Sequence, residues 1–171
     1  MGYSLEEFAN ACHTALAQEP GVAGRKKVCA LVKEVLQDDA FVARYLGNDL
    51  PERKILYEDP EFGFCILGHL YRGAKETAPH DHGPTWAIYG QAKGETVMTD
   101  WALVEPASEE EPGKVRKVRE YTLTPGEACV YNEGDLHSPR RTGPTTLLRI
   151  EGKNVEKIRR LAFLPVETAG V

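Results

Sequence analysis

From Arg53 onward the grammar of the chain changes to short runs rich in β-branched and aromatic residues, at 54–57, 62–71, 85–89, 96–104, 117–122, 128–131 and 145–150. Turn signals part them: Asp59-Pro60, Gly73, Gly90, Gly94, Pro112-Gly113, Pro125-Gly126 and Gly143-Pro144. Strands this short and this closely spaced, following a helical segment, predict an antiparallel sandwich or barrel. The acidic, proline-containing stretch 105–113 reads as an exposed hairpin loop.

The first third obeys a different period. Ser4 followed by Glu7 fits a capping box, and Leu5, Phe8, Ala9, Cys12, Ala15 and Leu16 recur at helical spacing. Pro20-Gly21 ends that helix, and Val22, Val28, Leu31, Val32, Val35 and Leu36 mark a second. A short third helix reaches about Leu46 before Gly47-Asn48. With 171 residues the chain is expected to form one domain, a helical cap over 1–50 and a β-barrel over 53–165.

Charge and apolar patterning narrow the function classes. A net charge of -5, with lysines and arginines interleaved among acids, argues against nucleic acid as a partner. No apolar run approaches a membrane span, and residues 1–7 are acidic where a secretory leader is basic, so a cytoplasmic protein without membrane contact is expected. Cys12, Cys29, Cys65 and Cys129 are widely spaced in apolar runs and read as buried free thiols.

The motif that carries chemistry is Pro79-His80-Asp81-His82-Gly83. On an extended strand, side chains two apart share a side, so His80 and His82 can face one point while Asp81 turns away. His137 lies 55 residues beyond His82 and just after the run 128–131. A closed barrel can bring it against the first pair, giving a three-nitrogen face for one divalent metal with positions left open for substrate or oxygen. Three imidazoles accept iron, nickel, zinc or manganese. His13 and His69, on other elements, are expected to serve packing or the surface. Glu95 follows the Gly94 turn and is expected to be exposed, a ligand only in a different barrel register.

These residues resemble the cupin superfamily. Gly73, a spacer of six residues, His80 and His82 are similar to its first motif, and Pro125, Gly126 and His137 more loosely to its second. Ala87 stands where many cupins place a ligand glutamate, so the metal face has three histidines and no carboxylate. The local sequence, His80-Asp81-His82, Gly94-Glu95-Thr96, Asp100-Trp101, Cys129-Val130-Tyr131-Asn132 and Leu136-His137, resembles the cysteine dioxygenase and 3-mercaptopropionate dioxygenase branch. The resemblance implies a mainly β, cupin-type double-stranded β-helix (jelly-roll barrel) with an N-terminal helical cap. It also implies Fe(2+), a small-molecule substrate with O2, and pairing into a homodimer through sheet edges.

Three neutral imidazoles leave the ion's charge uncompensated, which favours an anionic ligand such as a thiolate or carboxylate. In that branch an arginine holds the substrate carboxylate, and Arg53 or Lys54 would stand in its place; Trp86 is a further candidate for substrate contact and Tyr89 for catalysis. The branch's Ser-x-His-x-Tyr motif has no counterpart in 146–151, which reads Thr-Leu-Leu-Arg-Ile-Glu. The cross-linking cysteine of some members aligns with Ala87. Arg149 and Glu151 alternate with Leu148 and Ile150, so an inward charged face makes Arg149 a catalytic or anion-holding candidate; the commoner arrangement, expected here, is a solvent-facing ion pair. Two readings compete with an iron dioxygenase acting on a small anionic substrate: a cupin cleaving a carbon-carbon bond of an aromatic hydroxyketone or diketone, and a binding module without turnover.

Overall fold

The computed structural model describes residues 2–166. Three helices open the chain, α1 (Leu5–Gln18), α2 (Val22–Leu36) and α3 (Asp39–Tyr45). Their ends follow the sequence signals: the Glu7 amide donates to the Ser4 hydroxyl at 3.1 Å, and the Asp38 carboxylate accepts from the amides of Ala40 and Phe41. No helix among the described residues is long and apolar enough to cross a membrane.

The strands are β1 (Lys54–Glu58), β2 (Cys65–Tyr71), β3 (Lys75–Glu76), β4 (Ala87–Lys93), β5 (Thr96–Glu105), β6 (Gly113–Leu123), β7 (Ala128–Tyr131), β8 (Leu136–Arg141), β9 (Thr145–Glu151) and β10 (Phe163–Pro165). They form two five-stranded sheets, ordered β1-β2-β9-β4-β7 and β10-β6-β5-β8-β3. All neighbours are antiparallel except β10 and β6. This is the mainly β jelly-roll barrel with an N-terminal helical cap that the sequence predicts.

Several boundaries move, each for a local reason. Residues 62–64 belong to a turn, because the Asp59 carboxylate accepts from the amides of Glu61 and Phe62 and the Asp59 amide donates to Phe64 O. The run expected at 85–89 starts at Ala87 and continues through Gly90 to Lys93. Gly90 is therefore no turn. A Cβ there would stand 2.6 Å from Val32 Cγ1 and 2.9 Å from Leu148 O, so glycine is what lets α2 approach the sheet. The β5–β6 hairpin extends further than expected, to the pair Glu105 and Lys114, which shortens the acidic loop. Strands β3, β8 and β10 had no periodic apolar run to announce them.

Alternation across the first sheet sets where the core lies. Phe64, Ile66 and Leu70 of the β2 segment, Ile88 of β4, and Leu148 and Ile150 of β9 share one cluster with Phe8, Cys12, Val28, Val32 and Phe41 of the helices. The apolar face of this sheet thus points outward, under the helical cap, and its other face lines the barrel. A smaller cluster inside the barrel gathers Ala87, Tyr89, Met98, Leu123, Tyr131 and Leu147. Cys12, Cys29 and Cys65 are buried, Cys129 is half-buried, and all four are free thiols.

Gly90→Ala is expected to destabilise the fold by about 1–3 kcal/mol, through overpacking against α2. Urea denaturation measures it, and an unchanged midpoint would show that α2 yields freely.

Candidate metal centre and cavity

His80 and His137 meet as a backbone pair. The His80 amide donates to His137 O and the His137 amide to His80 O, each at 2.9 Å, which lays the two imidazoles side by side with ring centroids 4.5 Å apart. His82 joins them, its Nε2 lying 3.0 Å from His137 Nε2. One ligand atom from each of the three histidines falls within 4.8 Å of the others, so the group could hold a metal ion.

The donor set suits that task. Nδ1 of His80 donates to Ala78 O at 2.8 Å and Nδ1 of His137 to Asp135 O at 2.9 Å, which leaves Nε2 of each as a lone pair. Two nitrogens bound to one ion at about 2.1 Å and at right angles would lie about 3.0 Å apart, which the His82 and His137 separation matches. All three imidazoles are held neutral. Burial drives His80 down to about 4 and His82 and His137 further below the usual histidine range, with Arg149 adding to the effect. Tyr131 stacks on the His137 ring at 3.8 Å, and its hydroxyl donates to Asp100 at 2.7 Å.

The Tyr89 hydroxyl lies 3.2 Å from His82 Nε2 and 3.0 Å from His137 Nε2. Its ring is wholly buried, and burial raises its pKa, so it stays a protonated donor. Arg149 stacks its guanidinium over the Tyr89 ring at 4.8 Å and places Nη2 3.5 Å from His82 Nδ1. The solvent-facing ion pair expected for Arg149 and Glu151 is thus overturned: Arg149 is 9% exposed and Glu151 fully buried. The helical cap needs Leu148 and Ile150, and strand parity then sends the charged pair inward.

Glu151 is a charge hub. It accepts two hydrogen bonds from Arg53, at 3.0 and 2.9 Å, and its Oε2 lies 3.0 Å from Arg149 Nε, close but poorly aligned for a hydrogen bond. Burial opposes its ionisation, yet Arg149 and Arg53 outweigh that and hold its carboxyl below the usual range.

Above the histidines opens a cavity of about 520 Å³. His80 and Tyr89 reach its floor, and its walls carry five cationic side chains, Arg53, Lys75, Arg141, Arg149 and Arg160, against Glu52 and Glu156. The structure therefore gathers His80, His82, His137, Tyr89, Arg149 and Arg53. It does not bring Lys54 or Trp86 to the cavity. Lys54 is exposed on the edge strand β1, pointing away because its neighbour Arg53 points in. Trp86 packs in the helix-facing core with the Arg25 guanidinium 5.4 Å from its ring. Glu95 is exposed at its turn.

Two wall residues escaped the sequence reading. His69, expected for packing or the surface, is 3% exposed and lines the cavity. Arg141, also 3% exposed, shares a face of β8 with His137, a relation that counting in twos from the histidine would have exposed. His13, by contrast, links the helices to the barrel, with Nδ1 2.9 Å from Asp59 and Nε2 3.2 Å from Glu61.

No protein-family model matches the sequence, and no curated protein matches it by sequence. By structure the chain is similar to a cupin superfamily protein from Desulfitobacterium hafniense, at 12% identity over 60% of this chain and 76% of that one, with a TM-score of 0.42. It is also similar to a cupin-2 domain protein from Shewanella frigidimarina, at 17% identity over 69% and 93% of the two chains, TM-score 0.42. A hydroquinone 1,2-dioxygenase shares 15% identity over 70% and 72%, TM-score 0.48.

Glu151→Gln is expected to cost about 3–5 kcal/mol at pH 7, since it leaves the buried Arg149 without a carboxylate and Arg53 with only the exposed Glu156. The folded pKa of Glu151 is depressed, so its contribution is present above the unfolded value of about 4.3 and is lost as pH falls through the folded value. Denaturant titrations should show the wild type and the variant converging in stability as pH drops below about 4. A constant gap would remove Glu151 ionisation from the account.

Proposed function

We propose that His80, His82 and His137 hold one divalent ion, Fe(2+), and that the protein is a mononuclear non-haem iron dioxygenase of the cysteine dioxygenase-like cupin type acting on a small anionic substrate, thiols included. The observation that carries the reading is a cluster of three neutral imidazoles, two of them with a free Nε2 lone pair, whose member His80 opens onto a cavity walled by cations. When bound, the ion supplies Lewis acidity and one-electron chemistry toward O2.

The chain's own residues do the rest. Surplus positive charge on the walls raises the local concentration of an anionic substrate and holds its charged end. The Tyr89 hydroxyl, buried and protonated beside His82 and His137, keeps a proton at the point where a reacting group would sit. Glu151 fixes Arg149 over the Tyr89 ring and so sets the direction of the cavity's field. The competing reading, cleavage of a carbon-carbon bond in an aromatic hydroxyketone, calls for a largely neutral aromatic cavity, and the five cations favour the anionic substrate instead.

The test is metal analysis of protein purified under nitrogen, followed by oxygen consumption with iron restored, across cysteine, 3-mercaptopropionate, cysteamine, small carboxylates and an aromatic hydroxyketone. Uptake should require iron and fall by more than about 100-fold in His82→Ala. Full iron loading with no uptake from any member of the panel would sink the enzyme reading and leave a binding module.

A further inference from the structure

Four buried polar atoms on the cavity wall make no hydrogen bond among the described residues; Arg53 Nε and Arg149 Nε each lie 3.0 Å from a carboxylate, and the other two have no such companion. The first of these two is a donor. Arg141 is 3% exposed and its Nε makes no hydrogen bond; burial disfavours its charge, with Tyr71 and Tyr89 offsetting part of that and Arg149 adding to it. Its guanidinium lies over the Tyr71 ring, 4.4 Å from the centroid. A buried guanidinium without a counter-ion is a standing cost to the fold, so its retention in a cavity wall calls for an anion brought from outside. The second group is an acceptor. His69 donates from Nδ1 to Glu52 O at 2.8 Å, which leaves Nε2 as a lone pair, and that atom is buried and unpartnered. Burial holds the ring neutral by pushing its pKa down to about 3.

Both groups line the same cavity and both contact Tyr71, so one molecule filling it can meet the two together. The nearby charges decide what kind of donor His69 receives. Arg53, Lys75, Arg141, Arg149 and Arg160 outnumber Glu52, Glu151 and Glu156; Glu52 and Glu156 are already paired with Lys75 and Arg53, and Glu151 with Arg53 and Arg149. An ammonium donor would add a cation to that surplus. A hydroxyl donates the same hydrogen bond without charge.

From this we infer that the cavity takes a hydroxy-carboxylate, its carboxylate held by Arg141 and its hydroxyl donating to His69 Nε2, and that it discriminates against the corresponding amino acid. The inference rests on reading the cavity as the substrate site, but it concerns binding and needs no turnover.

Malate, succinate and aspartate share one carbon frame and carry a hydroxyl, a hydrogen and an ammonium at the same carbon. Isothermal calorimetry on the purified full chain, metal-depleted and iron-loaded, should rank malate about tenfold tighter than succinate, with aspartate weakest. Arg141→Met should weaken malate by about 100-fold or more, yet raise the melting temperature of the ligand-free protein by a few degrees, roughly 2–4 °C or more, because it removes an uncompensated buried charge. His69→Phe should keep carboxylate binding and erase the preference for malate over succinate. Aspartate binding as tightly as malate would overturn the hydroxyl assignment. No saturable binding of any of the three, or unchanged binding with a lower melting temperature in Arg141→Met, would overturn the subsite altogether. Loss of oxygen uptake with these affinities intact would count against the dioxygenase reading alone.

Discussion

The helical cap decides the chemistry of a barrel it does not enter. By covering the outer face of the β1-β2-β9-β4-β7 sheet, α1, α2 and α3 draw the apolar residues of every covered strand to that side. Strand alternation then leaves His69, Tyr89, Arg149 and Glu151 no direction but inward. In a barrel without such a cover the interior must serve as the core, and charged groups go to solvent. Here the main core lies outside the barrel, with only a small apolar cluster around Tyr89, Met98 and Leu147 within it. Gly90 is a point on which this depends closely, since a side chain there would collide with Val32 and Leu36 of α2.

Charge is organised as tightly as packing. Glu151 sits between Arg53 and Arg149 and lets two guanidiniums share one wall of the cavity. One carboxylate cannot balance a third, and Arg141 is left to be answered by whatever fills the cavity. The three histidines respond to the same field. Held neutral by burial and by Arg149, they present lone pairs, which is the form in which imidazole binds metal.

What the sequence made legible was whatever depends on a local period. The helices stand where the 3.6-residue pattern and the Ser4 cap put them, and His80 and His82 are visible because a spacing of two is meaningful on any extended segment. Gly90 misled, since a glycine required for close approach looks the same in sequence as a glycine required for a turn. Arg149 and Glu151 misled for a related reason: parity says that one face is buried, but only the position of the helices says which. His69 and Arg141 were hidden because lacking a partner is a property of the folded whole. Lys54 entered beside Arg53 through the family resemblance and turns away by a single step of the alternation, while Trp86 packs against the helices.

The separation of the main core from the cavity has a consequence for how such a protein can change over generations. On β2, β4 and β9, residues that hold the fold together and residues that face the cavity lie on opposite faces, and Arg141 lies on β8 of the other sheet, so a substitution at His69 or Arg141 alters the ligand without opening a hole beneath α2. The interior can drift from one substrate to another while the exterior seam keeps the chain folded. Selection on chemistry and selection on stability then act on interleaved but separate sets of positions.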